Sequence, residues 1–323
     1  MLDDTRFIRQ SHSVSFGGIA GQNEAMIRNS RNLGNINGYE NVGGIAGKSI
    51  GNSAVVDCYN AGVISGRSNV GGLVGITHFA KISGSYNTGN VNGGYKNTGG
   101  ITGYCLYSTV KQSYNTGNIY GETNVGGIAG KNNNSTITQC FNTANISCED
   151  NVAGIAGKSF QATVSESYNL GDISAYGTVG GINGHMEHSY VKNCYNAGTV
   201  FSDQFAAGIA GYYTALSITG NISNCVSLGK KVSSSRVVNG YGVFTNNKAR
   251  KNMIVIINGI VVQVSGTSSN TDGENTPFGT ELSDVFFNWD TSIWKIPNGS
   301  LHPNCKLPTL RNIQAGVQNP RLE

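Results

Sequence analysis

Residues 58–105 read CYNAGVISGRSNVGGLVGITHFAKISGSYNTGNVNGGYKNTGGITGYC, a stretch that almost repeats itself within its own length. Working outward from it, the segments GGIAG, GGIAG, GGLVG, GGITG, GGIAG, AGIAG, GGING and AGIAG begin at residues 17, 43, 71, 99, 126, 153, 180 and 207. The intervals are 26, 28, 28, 27, 27, 27 and 27 residues. Eight copies held to that period mean stacked structural repeats. A degenerate ninth copy, Tyr241-Gly242-Val243-Phe244, follows after a longer gap.

Aligned on the period, the chain shows four apolar columns. One runs Ile19, Ile45, Leu73, Ile101, Ile128, Ile155, Ile182, Ile209, preceded by Val42, Val70, Val125, Val152 and Val179 with Thr98 as the exception. The others are Ile27, Val55, Ile82, Val110, Ile137, Val164, Val191, Ile222 and Ile36, Ile64, Val91, Ile119, Ile146, Ile173, Val200. Nearly all are β-branched, which favours strands, and no 3.6-residue pattern of helix formers accompanies them. The expectation is an all-β parallel β-helix, a β-solenoid of about eight coils of ~27 residues with three short strands each, stacked ~4.8 Å apart around one shared core. Right-handed winding is expected from the general preference of parallel crossovers.

Polar columns share the period. Asn60, Asn87, Asn115, Asn142, Asn169 and Asn196, headed by Asn32, sit where the chain must turn, and stacked amides there can bond from coil to coil. Two residues on, Gly34, Gly62, Gly89, Gly117, Gly171 and Gly198 suggest a turn with positive φ. Asn41, Asn69, Asn97, Asn124 and Asn151 mark a second corner. Tyr59, Tyr86, Tyr114, Phe141, Tyr168 and Tyr195 form an aromatic file, preceded by a column in which Ser and Cys exchange. In Val-Gly-Gly-Ile-Ala-Gly the alternate face carries only Gly and Ala, a smooth wall against which another part of the chain, or a second copy, could lie.

The 323 residues include 46 Gly and 12% charged residues, about twice and half the usual shares. There is no Gly-X-Y period, so collagen is excluded. A net charge of +4 without long basic runs gives no nucleic-acid signature. Seven Cys with no CxxC pair suggest neither a disulfide framework nor zinc. No apolar run reaches membrane-spanning length, and residues 1–16 lack a signal peptide. Residues 1–16 are read as an N-terminal cap, 17–245 as the repeat region, 246–320 as a C-terminal β-rich cap, and 321–323 as a vector remnant on an excised fragment. In the cap, Met253–Val264 predicts a hairpin turning at Asn258-Gly259, after which Phe286, Phe287, Trp289 and Trp294 are expected to close the open end of the core.

The Gly71-Gly72-Leu73-Val74-Gly75 segments, each followed by a loop and then Cys/Ser-Tyr-Asn-x-Gly, resemble the GLUG repeat over residues 12–245. That repeat is found in bacterial cell-surface proteins, including regions that accompany some immunoglobulin A peptidases. Leu282-Ser283-Asp284, Trp289-Asp290, Ile293-Trp294-Lys295-Ile296 and Pro308-Thr309-Leu310 are similar to the segment that often closes such arrays. The resemblance implies a β-solenoid and an extracellular or surface location; it implies no single activity.

β-Helices include polysaccharide lyases and hydrolases, which need clustered carboxylates. The best cluster is Glu122, Glu149 and Asp150, the two glutamates 27 residues apart and so expected in adjacent coils. His185-Met186-Glu187-His188 is only superficially like a zinc-protease motif, because its histidines are three apart and fall in an expected loop. No catalytic residue, metal or cofactor is assigned. The loops after each Gly-Gly segment vary instead, and His78, Phe79, Tyr104, Tyr107, Phe160, Tyr212 and Tyr213 are expected to form an aromatic strip along one edge, able to stack on sugars or seat a protein. The sequence reading is therefore a non-catalytic stalk or adhesin module, binding glycan or host protein and open to self-association, with a β-helix carbohydrate-active enzyme as the alternative.

Overall fold

The computed structural model describes residues 15–214, 220–267 and 269–323. Most of the expected N-terminal cap lies outside them. The chain winds into a parallel β-solenoid of about nine turns. Each turn has four walls, one more than expected. In the coil around Gly71, wall A is Ile64–Gly71, wall B Val74–His78, wall C Lys81–Ser83 and wall D Tyr86–Asn87. Walls B and C are nine-stranded parallel sheets and wall D has ten strands. Wall B stands where variable loops are expected, and the strands of wall D are only two residues long, too short for alternation to show.

Register is kept coil on coil: Ile64 faces Val91, which faces Ile119, and Tyr86 faces Tyr114. The aliphatic columns do not fill one common interior. Ile45, Val55, Cys58 and their equivalents form one core among walls B, C and D. Val42, Ile64, Val70 and theirs form a second inside wall A, whose strands bend back on themselves. The glycine columns account for the division. A Cβ on Gly71 would stand 2.0 Å from Val74 O, and one on Gly75 2.5 Å from the Asn41 carbonyl carbon. Walls A and B thus press together backbone to backbone, which only Gly, and Ala at some rungs, allows. The smooth Gly/Ala face is buried within the chain, not offered to a partner.

The asparagine column is a continuous ladder. Asn60 Nδ2 donates to Asn87 Oδ1 (2.7 Å), Asn87 to Asn115 (2.8 Å), Asn115 to Asn142 (2.9 Å), Asn142 to Asn169 (2.9 Å) and Asn169 to Asn196 (2.8 Å). The other Nδ2 hydrogen goes to the carbonyl two residues on, as from Asn60 to Gly62 O at 2.8 Å. These amides are fully buried and lie against Gly72 and its equivalents, where an added Cβ would come 2.5 Å from Asn87 Cγ. The second asparagine column makes a shorter ladder running the other way, Asn97 to Asn69 (2.8 Å) and Asn69 to Asn41 (3.0 Å).

Backbone angles redistribute the expected roles. Left-handed φ falls on the second column, Asn41 to Asn151 at 52–59°, and on the residue three before each ladder asparagine, such as Asp57 and Gln112. Gly62 and its equivalents are not left-handed. They are required because a Cβ on Gly62 would sit 1.9 Å from Gly34 O in the preceding coil. In the Ser/Cys column, Ser85 Oγ accepts from Cys58 N (3.0 Å) and donates to Ser83 O (2.9 Å), so hydrogen bonding as well as size selects these residues. All seven cysteines are unpaired. Burial pushes the Cys105 and Cys140 thiols up to about 12, which makes them poor nucleophiles.

The C-terminal segment begins with the expected hairpin, Ile254–Ile257 against Ile260–Val262, turning through left-handed Asn258 and Gly259. Met253 and Val255 close the end of the second core. Arg236, buried at the end of the first, donates to Asn275 Oδ1 (2.6 Å) and Gly273 O (3.1 Å). The later aromatics do not plug an end. Phe286, Trp289 and Trp294 fold back along the flank of wall D against Tyr168 and Tyr195, while Phe287 is exposed. Tyr195 donates from Oη to Pro308 O (2.7 Å) and Tyr168 to Gln318 Oε1 (3.2 Å). Leu322, read as foreign, is buried in this third core.

Candidate binding surface

The seven aromatic and histidine residues do not form one strip. Tyr213 is wholly buried in the first core, because its wall B position alternates inward with Met186 and Ser159. Tyr104 and Tyr212 point outward, Tyr104 beneath Lys131 Nζ at 5.2 Å from its ring centroid and Tyr212 edge-on to His185 at 5.4 Å. Phe160 meets His188 edge-on at 6.0 Å. Only His78, Phe79 and Tyr107 cluster. Phe79 and Tyr107 stack at 4.9 Å with half-exposed rings, both in the left-handed region (φ 51° and 46°), where bulky residues are strained.

A larger set of exposed rings is spread along wall A, outside the expected strip. Its rings are Tyr39, Tyr95, Tyr120, Tyr176, Phe201 and Phe205, all 36–63% exposed. Tyr120 and Phe201 share one column, with Ser147 and Ser174 between them, where the bent wall turns Ile119 and Val200 inward and the next residue outward; Phe205 stands in another, opposite Thr178, and Tyr39, Tyr95 and Tyr176 recur at the coil period in a third. Arg67 lies between two of these rings, its guanidinium carbon 5.3 Å from the Tyr39 centroid and 5.0 Å from that of Tyr95. Arg67 Nη1 donates to Tyr39 Oη at 2.8 Å. A register shift between Gly66 and Ser68 accompanies the bend, and a groove of about 370 Å³ opens there. Residues 39, 67, 95 and 176 share the coil period in the sequence, but they fall before the Gly-Gly segments and not in the variable stretches after them.

Glu122 and Glu149 occupy adjacent coils, joined by backbone bonds from Glu149 N and Asp150 N to Glu122 O (3.2 and 3.0 Å). The Asp150 carboxylate is occupied structurally, accepting from Thr178 N and Asn151 Nδ2, both at 2.9 Å. His185 and Glu187 lie on a wall B strand, Asn183–Glu187, not in a loop. Met186 between them points into the core. Glu187 Oε1 pairs with Lys158 Nζ at 2.9 Å, and His185 Nε2 lies 3.2 Å from it without hydrogen-bond alignment. Among the described residues, no three His, Cys, Asp or Glu side chains are grouped to hold a metal ion, and no helix is long and apolar enough to cross a membrane.

The class this geometry defines is a repeat-built β-solenoid with a docked C-terminal cover. Within it, residues 66–92, one coil of the array, match the GLUG motif. No curated protein matches the sequence. Among solved structures, a crystal structure described as "a putative immunoglobulin A1 protease from Bacteroides ovatus" is similar, with a TM-score of 0.51 and 15% identity over 83% of this chain and 87% of that one. At that identity the likeness is one of fold.

Proposed function

We propose that the chain is a non-catalytic binding module of a secreted or surface-displayed protein, a rigid rod presenting side chains to glycan or protein ligands. The observation that carries this reading is the set of exposed rings along wall A, mounted on a backbone that two amide ladders hold in place. Exposed rings on soluble proteins mark contact surfaces when they group. The GLUG motif and the fold likeness support an extracellular setting. Glycan arrays together with pull-downs from host surface-protein preparations test the reading. The expected result is at least one specific ligand lost on Tyr176→Ala with Phe201→Ala; no ligand on either platform overturns it. Glu122 and Glu149, adjacent beside the same set of rings, favour a second reading, a carbohydrate-active enzyme. New reducing ends from pectic or host glycans, abolished by Glu122→Gln or Glu149→Gln, would establish that activity instead.

A further inference from the structure

The groove at the bend of wall A has a composition that selects among ligands. Glycines line it, Gly38, Gly66, Gly93 and Gly94; the Cβ positions of Gly66 and Gly93 point inward, against Val42 and Thr98, while that of Gly94 meets nothing closer than 3.7 Å. Amides and a hydroxyl rim it: Asn37 and Asn92, with Asn92 Nδ2 donating to Ser65 Oγ at 3.3 Å. The half-exposed Tyr120 ring stands at one end and Arg67 at the other. No acidic side chain lines the groove. Arg67 has no carboxylate partner among the described residues, and one donor, Nη1, is engaged there, to Tyr39. The two flanking rings hold its guanidinium plane in place, so a carboxylate meets a fork that is already oriented. Lys96, 5.5 Å from the Tyr95 centroid, adds a second positive charge nearby. Rings suit sugar faces, amides suit sugar hydroxyls, and an unpaired guanidinium suits a carboxylate.

We propose that this groove binds a carboxylate-bearing sugar, a uronic or sialic acid unit seated on Arg67, with the neighbouring saccharide stacked on Tyr120. The assignment rests on the reading of the chain as a binding module and gives that module a site and a ligand class. The attraction is partly electrostatic and weakens as salt rises.

Calorimetry with four probes tests it: oligogalacturonate and its methyl-esterified form, sialyllactose and lactose. At least one acidic probe should bind about 10-fold or more tighter than its uncharged counterpart, consistent with one charge-assisted hydrogen-bond pair. The pair that shows the preference identifies whether the acid is uronic or sialic. Arg67→Met should erase the preference, Arg67→Lys should restore a minor part of it, and Tyr120→Ala should weaken acidic and uncharged probes alike. Both side chains are exposed, and circular dichroism confirms that the variants fold. Equal affinity for acidic and uncharged probes overturns the ligand class. Binding that survives Arg67→Met but is lost in Phe79→Asn with Tyr107→Asn overturns the location. Failure of all four probes overturns this assignment alone, because the broader reading is judged on the array and on protein ligands.

Discussion

At the scale of single residues, the ladder asparagine is bound on three sides. Asn115 accepts from Asn87 and donates to Asn142 Oδ1 and Gly117 O, entirely out of solvent. Removing it leaves buried partners short of bonds, so Asn115→Ala should cost about 3 kcal/mol in denaturant unfolding. Asn115→Asp, nearly the same shape, should cost more than alanine. Aspartate has no amide hydrogen to give, and its carboxylate would face Gly117 O and Asn142 Oδ1 in a dry interior. Equal stability of the two variants would show that the column is held by packing alone. Wall B supplies a residue that responds to acid. Burial holds His185 below the ordinary imidazole range, with Lys158 adding to the effect and Glu187 and Asp150 opposing it. The unfolded chain therefore takes up the proton first as pH falls. The stability tied to His185 is complete above about pH 6.5, declines as pH drops through that value, and levels off once the folded imidazole is charged as well. Guanidinium unfolding at pH 7.5 and pH 5 should show a smaller loss for His185→Asn than for the parent chain.

At the scale of elements, the C-terminal segment and wall D form one aromatic body. Tyr59 through Tyr195 stack at 4.8–5.0 Å, the spacing of stacked strands, and the cap covers the stack from Phe141 onward. Trp294 is fully buried there. Trp294→Ala should cost about 4 kcal/mol of cap docking. Hydrogen exchange should quicken in wall D between Phe141 and Val226 and remain slow between Tyr59 and Tyr114. Much of this element-level picture was legible in the sequence. Period, strand character, amide column and hairpin turn all follow from residues that must recur in every coil. The cap's direction was not legible, because an aromatic side chain in a non-repeating segment carries no register. The division into two cores was hidden too, since glycine columns announce a close approach without saying what approaches. For the surface, Tyr213 shows the limit: a loop reading placed it outside, whereas one more residue of strand alternation puts it in the core.

For the whole molecule, contacts run mainly between neighbouring coils, so stability is close to a sum of coil and interface contributions. Deleting residues 116–142 removes one 27-residue period and joins Asn115 to Thr143, leaving every ladder in register. That variant should fold with a β-rich circular dichroism spectrum and unfold cooperatively. Deleting half a period from the same region should not fold, because apolar and polar columns would exchange places. The amide columns also give the rod a direction that its outline conceals. Each rung of the first column must point its remaining hydrogen toward the next coil, since its own coil's carbonyl takes the other. The second column points back. Neither column reaches the C-terminal end of the rod: Ser227 and Ala249 follow Asn196 in register, and Asn151 Nδ2 turns to Asp150. The polarity is therefore internal, and it fixes the sense in which any further coil can be spliced into the stack.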